Sequence, residues 1–135
     1  MKRLIGAVVL VLFSGCWSND LKNWNKNEFQ CANCQMGIVD FRFRAVVVTE
    51  KGKTIPFDSV ECLLGWIQTN TGKYRMLFSD FKKPENWISF HKIYLLRSAK
   101  RQSPMGGGFS VYSSLELLNQ AKQEVSGMRI MVNIQ

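Results

Sequence analysis

The same succession of periodicities occurs twice in this chain, and that doubling constrains the fold more than any other feature. Phe41-Arg-Phe-Arg-Ala45 alternates apolar and basic residues and runs on through Val46-Val-Val-Thr49, a strand pattern. Glu50-Lys-Gly-Lys53 is a turn, and Thr54-Ile-Pro-Phe57 a short second strand whose Pro56 places it at a sheet edge. Asp58 or Ser59 can cap a helix, and apolar residues at 60, 63, 64 and 67 line one helical face. Asn70-Thr-Gly72 ends that helix, and Lys73 to Phe78 is a third strand. After a polar connector over 79–86, Trp87 to Leu96 predicts a long strand with a break near His91. A loop over 98–108, a strand over 109–112 and a helix opened by Ser113 or Ser114 follow. That helix presents Leu115, Leu118, Ala121 and Val125; Gly127 stops it, and Met128 to Ile134 alternates as a last strand.

Both halves therefore predict strand, strand, helix, strand. They share text as well: Phe57-Asp-Ser-Val-Glu-Cys-Leu-Leu64 against Val111-Tyr-Ser-Ser-Leu-Glu-Leu-Leu118. The expected fold class is α+β, two packed ββαβ repeats over 29–82 and 83–135, because neither half alone would bury a sufficient core.

The N-terminus predicts export. Met1-Lys-Arg3 is basic, Leu4 to Phe13 is a short apolar run, and Ser14-Gly15 precede Cys16. The apolar run is too short for a transmembrane helix. Residues 1–15 are expected to be a signal peptide and Phe13-Ser-Gly-Cys16 resembles the bacterial lipobox, which implies acylation of Cys16 and a lipid anchor. Residues 16–28, polar and Asn-rich, would tether anchor to fold. The expected location is extracytoplasmic, at the periplasmic face of a bacterial membrane. The formal charge of +8 falls toward +6 once Lys2 and Arg3 leave with the signal. The basic residues are scattered and carry no nucleic-acid motif, so they are read as a solvated face that favours membrane contact, with no nucleic-acid partner.

Function concentrates in Cys31-Ala-Asn-Cys34-Gln-Met36-Gly37, which places two thiols and a thioether within six residues. Soft sulfur donors suit Cu(I) better than hard cations. If the segment is extended, Cys34 and Met36 face the same way and can share an ion. Met105, flanked by Pro104 and three glycines, sits in a loop where a methionine has little packing role, so it can complete the site. Other readings of C-x-x-C stay open: half a zinc site, a membrane-anchored thiol-disulfide oxidoreductase using Cys31 and Cys34, or a structural disulfide. Cys62 is expected to be a buried, inert thiol, Asp58 a helix cap and His91 structural. A single histidine leaves no Ser-His-Asp catalysis.

The lipobox cysteine, Cys31-x-x-Cys34-x-Met36-Gly37, Pro56-Phe-Asp-Ser59 leading into Cys62-Leu-Leu64, and Ser103-Pro-Met-Gly-Gly107 together resemble the NosL lipoproteins. That resemblance implies a Cu(I)-binding copper chaperone, not an enzyme, that serves maturation of nitrous-oxide reductase or a similar extracytoplasmic copper enzyme. Its implied partners are the apo enzyme and an ABC-type membrane complex, and its implied fold is two ββαβ units. Carried over by position, Cys34 and Met36 are the first copper ligands, Met105 the third and Cys31 the next candidate. Gln35 departs from the family, where Gly is common.

Overall fold

The structure, a computed structural model, describes residues 29–125 and the short strand at 129–130. The predicted signal peptide, Cys16 and the tether lie outside the described residues, as does most of the predicted final strand. Along the chain come β1 (Ala45–Thr49), β2 (Thr54–Phe57), α1 (Val60–Thr69), β3 (Tyr74–Ser79), β4 (Trp87–Ser89), a 3-10 turn (Phe90–Lys92), β5 (Tyr94–Arg97), β6 (Phe109–Tyr112), α2 (Leu115–Glu124) and β7 (Arg129–Ile130). They form two antiparallel sheets, ordered β2-β1-β3-β4 and β6-β5-β7. Pro56 lies, as expected, on an edge strand, where its missing N–H costs no ladder bond.

Strand alternation sorts the side chains. In β1, Ala45 and Val47 join the core around α1, with Phe57, Val60, Leu63 and Phe78, while Val46 and Val48 face the other side with Leu77 and Trp87. In the second sheet, Leu95 and Val111 face α1, and Leu96 and Tyr112 face α2. Helix α1 is thus packed against both sheets, and each fully buried Leu or Phe beneath it contributes about 1.5–3 kcal/mol.

Three expectations require correction. The long strand over 87–96 is two strands in different sheets: β4 pairs with β3, and β5 with β6 and β7. The 3-10 turn around His91 redirects the chain between them. β4 therefore follows residue 83 in the chain yet belongs to the first sheet. Strand β1 begins at Ala45, not Phe41, because Asp40 Oδ1 accepts from both the backbone N–H (3.1 Å) and Nε (2.9 Å) of Arg42 and holds 40–43 in a turn. Leu115 is 53% exposed. On a helix of 3.6 residues per turn it falls about 90° off the stripe of Leu118, Ala121 and Val125.

Candidate metal centre

The corner between β2 and α1 gathers the chemistry. Ser59, not Asp58, caps α1: its Oγ accepts from the Cys62 N–H at 3.2 Å. That leaves the neighbouring Asp58, 2% exposed, free to face the sulfur atoms. Cys62 sits in the first helical turn, 1% exposed.

The segment 31–36 folds over this corner as a tight loop. Cys31 N–H donates to the Met36 carbonyl (2.8 Å), Gln35 N–H to the Cys31 carbonyl (2.9 Å), and Ala32 N–H to the Pro56 carbonyl (2.9 Å). The extended C-x-M geometry expected from sequence is therefore absent. Residues 32–34 turn, and Gln35 adopts φ 64° in the left-handed region. A non-glycine residue there costs about 1–2 kcal/mol, which explains why glycine suits this position. The Gln35 side chain partly offsets the cost by donating to the Ala32 carbonyl at 3.3 Å. Asn33 lies against Gly65 of α1, where a Cβ would stand 3.3 Å from its Nδ2, and it donates to Cys62 Sγ at 3.7 Å.

The result is a cluster of Cys31, Cys34, Cys62 and Asp58, whose ligand atoms all lie within 4.8 Å of one another. The three cysteines are free thiols. Cys34, the most accessible of them, donates its S–H to Asp58 Oδ2 at 3.3 Å. Burial pushes the Cys34 thiol up, and its contacts with Cys31 and Asp58 push the same way, against the backbone N–H of Met36. Cys62 is raised more, again chiefly by burial and next by Asp58. The metal-free site therefore holds Cys34 and Cys62 as neutral thiols at neutral pH. Asp58 Oδ1 is buried without a hydrogen-bond partner, an arrangement a cation would relieve. Three sulfurs and one carboxylate form a donor set suited to a soft or borderline metal ion.

Of the residues singled out from sequence, the structure brings Cys31 and Cys34 together and adds Asp58 and Cys62. Cys62 is buried, as expected, and its sulfur faces the other two. The signal was available in the C-L-L text that follows the Asp58-Ser59 cap, since a cysteine three residues after a cap returns to the start of the helix. Met36 and Met105 are 47% and 44% exposed, unusual for methionine, and both stand on loops bonded to the elements that carry the cluster.

No protein-family model matches the chain, and no curated protein sequence does either. Among solved structures, the copper chaperone NosL from Shewanella denitrificans matches with a TM-score of 0.64, covering 79% of this chain and 88% of that one at 13% identity. The fold is similar to that of NosL. At this identity the likeness establishes the architecture of mixed antiparallel sheets and two helices, and the candidate metal site rests on the cluster itself.

Proposed function

We propose that this protein is a membrane-anchored Cu(I) metallochaperone that delivers copper for maturation of nitrous-oxide reductase or a similar extracytoplasmic copper enzyme. The observation that carries the reading is the convergence of three free thiols and a buried carboxylate, with Cys34 at the accessible side. Two exposed thioethers on loops hydrogen-bonded to the elements of the cluster support Cu(I) over zinc, whose protein ligands are thiolate, imidazole and carboxylate. In this reading Cys34, Met36 and Met105 receive and release the ion, and Cys31 and Cys62 hold it from the interior. Release to an apo enzyme, through an ABC-type membrane complex, proceeds by ligand exchange as incoming donors replace the exposed sulfurs. Cys16 would carry the lipid. The two runs β1-β2-α1-β3 and β5-β6-α2-β7 are read as related ββαβ units.

The role of carrier, rather than thiol-disulfide enzyme, is supported by the setting of the Cys31–Cys34 pair. It lies in a turn and not at a helix N-terminus, and burial raises the Cys34 thiol where a nucleophilic cysteine is lowered. Anaerobic titration of the purified protein with Cu(I), in competition with a chromophoric chelator, tests the proposal. One tightly held Cu(I) per chain, lost in Cys34→Ala, is the expected result. Metal-independent reduction of insulin with no Cu(I) retention would replace the carrier by the enzyme.

A further inference from the structure

The loop that carries Met105 is fastened to the helix that carries Cys62. Ser103, 7% exposed, donates its hydroxyl to Glu61 Oε1 at 2.8 Å, a contact across 42 residues of chain. The same hydroxyl accepts the Gly108 N–H at 2.9 Å, and the Gly106 N–H donates to the Ser103 carbonyl at 2.9 Å. Ser103 therefore closes the loop upon itself and onto α1 at once.

The three glycines fit this arrangement for separate reasons. Gly106 has φ 73°, which a turn of this shape requires. At Gly107 a Cβ would stand 2.3 Å from Glu61 Oε1 and 2.7 Å from Glu61 Cγ, so the backbone can lie against that side chain only without one. At Gly108 a Cβ would meet the Ser98 carbonyl oxygen at 2.0 Å. Arg97 Nε donates to the Gly107 carbonyl at 3.2 Å. Glu61 itself has a buried Oε2 with no hydrogen-bond partner. A carboxylate kept half satisfied at a helix start needs a reason beyond capping, since Ser59 already supplies the cap.

We infer that Glu61 is a positioning residue for copper binding: it latches the Ser103–Gly108 loop, and with it the Met105 thioether, to the helical turn that carries Cys62. The inference rests on the reading of Met105 as a copper ligand. Glu61 touches no copper; it fixes where the second half of the chain presents its sulfur to the first. Residues that orient ligands commonly govern metal affinity about 10–100-fold.

The test compares Glu61→Ala, Glu61→Gln, Ser103→Ala and Met105→Leu in the full chain by anaerobic Cu(I) competition, with the Met105 methyl signal followed by NMR. Glu61→Ala and Ser103→Ala are expected to lower affinity about tenfold, as Met105→Leu does, and to abolish the copper-induced shift of the Met105 methyl. Glu61→Gln, which keeps an acceptor for Ser103, should restore both. The double variant Glu61→Ala/Met105→Leu should bind no more weakly than Met105→Leu alone, because both remove one contribution. Parental affinity and an unchanged Met105 shift in Glu61→Ala would overturn the latch. Parental affinity in Met105→Leu alongside a loss in Cys34→Ala would instead remove Met105 from the site, and the latch with it.

Discussion

The β2–α1 and β6–α2 corners are built alike and differ in what they carry. Each ends its strand on a buried aromatic residue, Phe57 or Tyr112. Each caps its helix with a serine, Ser59 or Ser114, whose Oγ accepts an amide N–H three residues on at 3.2 Å. Each has a glutamate in the first turn, Glu61 or Glu116. Aligned on these caps, Tyr112-Ser-Ser-Leu-Glu-Leu-Leu118 lies against Phe57-Asp-Ser-Val-Glu-Cys-Leu63, one residue away from the alignment read from the text alone. The register matters because it sets Asp58 opposite Ser113 and Cys62 opposite Leu117. Ser113 donates to Asp80, tying its corner to the chain before β4. Leu117 packs among the apolar residues under α2. The same frame thus serves packing in one half and sulfur chemistry in the other, and two substitutions account for much of that difference.

The comparison breaks most sharply at Cys34. Cys34→Ala should lower Cu(I) affinity by roughly a hundredfold or more, since an anionic thiolate binds Cu(I) more strongly than the neutral thioether that Glu61 orients, while Leu117→Ala should leave affinity within experimental error. Competition titration reads both, and equal effects would dissolve the distinction between the corners.

Acid should weaken the first corner alone. Burial holds the Cys34 and Cys62 thiols above their ordinary value of 9.0, so each thiolate bond to copper releases a proton. Affinity should therefore fall by roughly tenfold per pH unit for each thiol proton released as pH drops from 8 to 6. The same burial stabilises the metal-free fold below pH 9, and that contribution fades as pH rises further. A flat affinity profile would mean that the thiols are not ligands.

The caps offer a matched pair. Ser59→Ala and Ser114→Ala should each cost about 1 kcal/mol of stability, measured by urea unfolding. Only Ser59→Ala should also weaken Cu(I), because only that cap sets the helical turn bearing Cys62. The smallest effect belongs to Gln35→Gly. Relief of the left-handed conformation outweighs the added freedom of the unfolded chain, for a gain of about 0.5 kcal/mol with Cu(I) affinity unchanged.

Local patterns reached far into this molecule. Alternation at 45–48, the edge proline at 56, the stripe at 60–67 and the turn glycines around Met105 follow from side-chain period and backbone sterics, which act between near neighbours. The sequence by itself thus determined the order of most elements and the presence of soft donors in two loops. Only the tertiary structure decided which donors meet. Asp58 and Ser59 are adjacent and both can cap, so which of them turns toward the sulfurs depends on how the 31–36 loop docks on β2. Cys62 reads as core until that loop brings Cys31 and Cys34 against it. Glu61 stands out in no local pattern, and only the Ser103 hydroxyl that donates to it from 42 residues away marks it. Contacts of that range leave no periodic trace, because they are fixed by packing two sheets around one helix and not by any repeat along the chain.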